Sequence, residues 1–86
     1  MSYDIRLMPD AEKMLGKLNE LERQRIINVL ERIRERPFVF VKKLTGVKYF
    51  SARAGKFKII LDIRRKELVI IVIDIGMRRN VYDNLK

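Results

Sequence analysis

The apolar pattern of this chain predicts an α+β fold, a helical hairpin packed on one face of an antiparallel β-sheet meander. Three observations carry that prediction. Two adjacent stretches of the first half repeat apolar residues at helical spacing, with a short join between them. Strand-like stretches separated by turn residues fill the second half. The 86 residues, 48% apolar and 36% charged, give one soluble core and no room for a second. The expected unit is a single domain over residues 1–86.

Each element has its own signal. Residues 3–7 alternate Tyr3, Ile5 and Leu7 with Asp4 and Arg6, which predicts a short half-buried strand. Pro9 suits the first turn of a helix, and Ala11, Met14, Leu15 and Leu18 give residues 9–18 an apolar stripe. Asn19 with Glu22 fits a capping box opening a second helix. That helix runs to about Arg36 with Ile26, Ile27, Val29, Leu30 and Ile33 apolar, and Pro37 stops it. Its arginines Arg23, Arg25, Arg32 and Arg34, interspersed with Glu22, Glu31 and Glu35, read as a solvated face.

Residues 38–41 read as a loop or short extended piece, and Lys42-Lys43-Leu44-Thr45-Gly46 as a turn. Residues 48–54 alternate as a strand, Gly55 marks a tight turn, and residues 56–63 form the next strand. After a turn at Arg64-Arg65-Lys66, residues 68–75 are apolar on both faces until Asp74, which predicts a central strand. The helices must bury their stripes against the largest apolar surface, the Phe57/Ile59/Leu61/Ile63 face. The opposite face then carries Tyr49, Ser51, Arg53, Lys56, Lys58, Ile60 and Asp74, basic toward Gly55 and more apolar away from it.

Composition narrows the chemistry. The chain has no cysteine, so neither a disulfide framework nor a thiolate metal site is available. It has no histidine, the commonest general base and metal ligand. Its acids are scattered along the helices, so no metal site and no cofactor is expected. No segment is long and apolar enough to span a membrane, and the expected compartment is the cytoplasm. A net charge of +9 favours polyanionic partners, nucleic acid first and an acidic protein second.

Cations gather near the strand ends of the last third, at Lys48, Arg53, Lys56, Lys58, Arg78 and Arg79, and Tyr82 follows four residues after Arg78. Fixed cations beside a phenol suit phosphodiester chemistry on RNA without metal or histidine. Each residue also has a structural reading. Arg53 can pair with Asp74 across the open face, Tyr82 can pack against the sheet, and Lys58 can be a surface lysine.

Three stretches carry a resemblance to a known family. These are Lys43-Leu44-Thr45-Gly46, Arg53-Ala54-Gly55-Lys56-Phe57-Lys58-Ile59-Ile60, and Ile75-Gly76-Met77-Arg78-Arg79-Asn80-Val81-Tyr82. In that order they resemble the RelE/ParE toxin superfamily of toxin–antitoxin systems, over nearly the whole chain, with its β-α-α-β-β-β order. The Arg-x-x-x-Tyr ending is closer to the RelE branch, ribosome-dependent mRNA endoribonucleases, than to the ParE branch, which inhibits DNA gyrase. The resemblance implies a cognate antitoxin protein, the ribosome and mRNA as partners. It implies catalytic roles for Arg78, Tyr82 and Lys58, with Arg53 on the RNA backbone; Lys48, Lys56 and Arg79 complete the expected RNA-binding set. Lys58 stands where the family carries an arginine, and Ser51 where nuclease members often carry a basic residue, with Lys48 the nearest substitute.

Overall fold

The computed structural model describes residues 2–77. Its elements run β1 (Asp4–Leu7), α1 (Pro9–Lys17), α2 (Glu20–Glu35), β2 (Lys42–Lys43), β3 (Phe50–Ala54), β4 (Phe57–Arg64) and β5 (Val69–Met77). They form one five-stranded sheet in the order β1-β5-β4-β3-β2. The meander β3-β4-β5 is antiparallel as expected, but β1 pairs with β5 in parallel, so the sheet is mixed. Residues 8–68, with both helices and β2–β4, lie between the two strands in the chain, far more than the crossover length a parallel pair needs. Lys42 and Lys43, expected in a turn, form a short strand against Ser51 and Phe50. Two residues are too few to leave a period in the sequence.

Local chemistry accounts for the hairpin. Pro9 opens α1, where its missing N–H costs nothing. The Glu22 N–H donates to Asn19 Oδ1 at 2.8 Å and the Asn19 N–H to Glu22 Oε1 at 3.4 Å, a reciprocal cap. Arg23, which reads in the sequence as part of a solvated face, instead joins the helices. Its Nε donates to the Leu15 carbonyl at 3.2 Å and its Nη2 to the Leu18 carbonyl at 2.8 Å, which satisfies groups left over at the end of α1. Arg34 likewise donates from Nε to the Tyr3 carbonyl at 3.0 Å, and the Tyr3 N–H donates to the Arg34 carbonyl at 3.1 Å. The far end of α2 is thereby tied to the entry of β1.

The main core lies between the helices and one sheet face. Ala11, Ile26, Leu30 and Ile33 meet Phe57, Ile59, Leu61, Ile63, Ile70, Val72 and Ile75, as the strand alternation predicts. The opposite face is less open than expected. Ile60 is fully buried there, beneath Leu44, with Val47, Tyr49 and Ile73 packed around it. The connection after β2, turned at Gly46 with φ +80°, brings Leu44, Val47 and Tyr49 over that face. Ile73 joins them through a β-bulge, because Ile60 faces Asp74 while Leu61 faces Val72.

Two stability outcomes follow. Ile59→Ala should cost about 2–5 kcal/mol, since Ile59 is fully buried among both helices and strands. Asn19→Ala should cost about 0.5–2 kcal/mol by removing the cap. Urea unfolding followed by circular dichroism measures both, with the m-value unchanged for Asn19→Ala.

Candidate nucleic-acid interface

The tight turn between β3 and β4 organises the basic end of the sheet. Gly55 sits at its corner with φ +62°, a conformation that favours glycine. The turn sets a register in which Arg53 lies directly opposite Lys58, so both side chains leave the same face of the sheet. Directly opposed residues have Cα atoms about 5 Å apart, close enough for two long cations to reach one phosphate. One row further in, Ser51 lies opposite Ile60 and Ile60 opposite Asp74. Ser51 is 8% exposed, so that position offers the site a small hydroxyl and no charge.

A cleft of about 860 Å³ opens beside this register. Its walls include Lys42, Lys43, Arg53, Lys56 and Lys58 and, among the described residues, no carboxylate. Val39, Phe40 and Val41 form its apolar side. β2 pairs only with Phe50 and Ser51, so among the described residues no strand covers the outer edge of β3 at residues 52–54. On that edge Ala52 and Arg53 line the cleft, and of residues 52–54 only Arg53 is exposed. A concave surface with a single sign of charge concentrates field lines and attracts polyanions.

The individual cations have different surroundings. Among the described residues Arg53 is exposed and in no ion pair, so the alternative reading in which it pairs with Asp74 is not met. Asp74 instead accepts from the Ile75 N–H at 2.9 Å. Lys56 is expected from the sequence on the face opposite the helices, but its ammonium lies 3.2 Å from Glu22 of α2 and over the Phe57 ring. Its position just outside β4, in the turn, frees it from the strand's alternation. Lys48 does not line the cleft; its ammonium sits 5.6 Å from the centre of the Tyr49 ring. Arg78, Arg79 and Tyr82 lie outside the described residues.

Sequence reasoning misses three contributors. Lys42 and Lys43 line the cleft from β2; the Lys43-Leu44-Thr45-Gly46 stretch is the available signal, but on sequence alone it reads as a turn. Lys43 is also held in place, donating to the Val47 carbonyl and lying over the Phe50 ring. Arg25, expected on a solvated face, reaches the β3–β4 turn, where its Nη1 would lie 3.6 Å from a Cβ placed at Gly55. No local pattern in α2 reports that contact, because it depends on how the helix crosses the sheet.

Known proteins share this fold. No family model matches the chain. A curated Escherichia coli protein that carries the name of a RelE-like toxin is 27% identical over 88 residues, spanning 96% of this chain and 93% of that protein. The toxin–antitoxin complex RelBE2 of Mycobacterium tuberculosis contains a chain that superposes with a TM-score of 0.82 at 20% identity, covering 91% of this chain and all of that one. A chain of the archaeal RelE–RelB complex from Pyrococcus horikoshii gives 0.79 at 23% identity, covering 93% and 99%. The isolated RelE toxin of E. coli gives 0.79 at 21%, covering 98% and 95%. The chain thus has the fold of the RelE toxins and is similar, along almost its whole length, to a protein named as RelE-like.

Proposed function

We propose that this protein is the toxin of a type II toxin–antitoxin system and cleaves mRNA on the ribosome, without a metal. The observation that carries the reading is the cleft on a RelE fold, lined by five cations and, among the described residues, no carboxylate. Such a surface suits a phosphodiester backbone, whose charge supplies most of the affinity of a nucleic-acid complex. The partner that neutralises it is a cognate antitoxin, as in the RelBE complexes that share the fold. Acidic residues of that antitoxin would meet the cleft.

The reaction is attack of a ribose 2′-oxygen on the adjacent phosphorus. The P–O bond to the 5′-oxygen breaks as the new one forms, leaving a 2′,3′-cyclic phosphate and a 5′-hydroxyl. The transition state gathers negative charge on the phosphoryl oxygens, and cations fixed in advance stabilise it without reorganising. Arg53 and Lys58, opposed across β3 and β4, are assigned to the phosphate and its neighbour. Arg78 supplies a planar guanidinium suited to two phosphate oxygens. Tyr82 handles the proton or stacks on a base. A free phenol has a pKa of about 10, so a proton-accepting Tyr82 would require cations close by. With no histidine in the chain, much of the acceleration falls to substrate alignment, which the ribosome provides by holding the mRNA.

Primer extension on mRNA in a translating extract tests this reading. Codon-phased cuts are expected with the wild-type protein, and Arg78→Ala and Tyr82→Phe should each slow them by about 100-fold or more. Unchanged cleavage in both variants would remove these residues from the mechanism. Uncut mRNA with continuing translation and failing gyrase supercoiling would establish the ParE-type activity instead. Separately, Arg53→Ala should weaken binding to RNA uniformly across sequences and lower the salt slope by about one. Electrophoretic titrations at several salt concentrations measure it.

A further inference from the structure

The connection between α2 and β2 presents three large apolar residues in succession, Phe38, Val39 and Phe40, and their roles differ. Phe38, though 40% exposed, has ring partners within the protein. Its ring meets Phe50 edge-on at 5.6 Å and carries the Arg65 guanidinium over its face at 4.5 Å. Phe40 has no ring or cation–π contact among the described residues and is 44% exposed. Val39 beside it is 67% exposed. The segment is pinned, because the Val39 N–H donates to the Arg36 carbonyl at 3.2 Å and the chain enters β2 two residues after Phe40. An aromatic ring is thus held on the wall of the cationic cleft without being needed for packing.

We propose that Phe40 is a base-stacking platform, and that the cleft takes single-stranded RNA with its phosphates along Lys42 and Arg53 and one base on the Phe40 ring. The inference rests on the RNA reading above and adds a position to it. A basic groove with an aromatic face is the combination that holds unpaired nucleic acid, since every base has a π-face and the phosphates need only charge. A duplex has its bases stacked and offers none to Phe40. The edge of β3 that β2 leaves uncovered reaches the same cleft at its exposed residue Arg53, whose backbone is the part of that edge open to a splayed base. An extended peptide added to that edge is the competing occupant. Three residues give it too short a strand to pair with, against the five or six of an ordinary strand.

The test uses the intact protein and a fluorescein-labelled single-stranded RNA of about ten nucleotides, within the site sizes known for such grooves. Anisotropy should show Phe40→Ala binding about tenfold or more weakly, while Phe40→Tyr stays near wild type. On an abasic strand of the same length, wild type and Phe40→Ala should bind equally. The chain has no tryptophan, so Phe40→Trp adds a single reporter whose emission should be quenched as the RNA saturates. The inference is overturned if Phe40→Ala matches wild type on the base-bearing strand, if its defect persists undiminished on the abasic strand, or if the indole emission of the Phe40→Trp variant is unmoved at saturation. It is also overturned if Phe40→Ala leaves RNA binding intact and weakens only antitoxin binding. If the wild-type protein binds neither strand, the RNA reading itself fails; if both strands bind with charge dependence but without a Phe40 effect, only the stacking platform is lost.

Discussion

Burial of β4 on both faces is the constraint on which the rest of this structure depends. Ile59, Leu61 and Ile63 face the helices, while Ile60 is fully buried on the opposite side beneath Leu44. A strand buried on both faces cannot slip by one residue, because that would exchange two differently packed sets of side chains. The register with β3 is therefore fixed, and it places Arg53 opposite Lys58. The same strand fixes β5, with the bulge at Ile73 allowing both Ile73 and Asp74 to lie on the face away from the helices. The position of the cations is thus a consequence of packing in a core that contains none of them.

The contacts between helices and sheet serve the same end. Arg23 and Arg34 bind backbone carbonyls and so fix α2 against the end of α1 and the start of β1. With α2 held, Arg25 arrives at the Gly55 turn and Glu22 at Lys56. The ion pair to Glu22 is open to solvent on its lysine side and worth at most about 1 kcal/mol, so its main effect is to orient Lys56. The basic end of the sheet is assembled from four elements, α2, β2, β3 and β4, with the β3–β4 turn at its centre. Its apolar border, Val39 to Val41, comes from the connection that β2 terminates.

Much of this is legible in the sequence wherever a residue's role follows from its near neighbours. The capping box at Asn19, the stop at Pro37, the turn at Gly55 and the face Phe57/Ile59/Leu61/Ile63 all have local signals. What escapes depends on distant pairing. The parallel partnership of β1 with β5, the two-residue β2, the cover of Leu44, Val47 and Tyr49 over Ile60, and the ties made by Arg23 and Arg34 have no periodicity to announce them. For the site, strand alternation places Arg53 and Lys58 correctly on one face, but it misplaces Lys56, which stands in a turn. Lys42 and Lys43 go unnoticed because a turn and a minimal strand look alike in sequence.

The cleft between residues 39–44 and the β3–β4 turn is the proposed site of nucleic-acid binding. Backbone amide shifts of isotope-labelled protein, followed by NMR during titration with single-stranded RNA, test it most directly. The perturbed amides should cluster at residues 39–44 and 51–58, and the shifts should diminish as salt rises. Perturbations centred on α1 and the outer edge of β1, with the cleft amides unmoved, would contradict it.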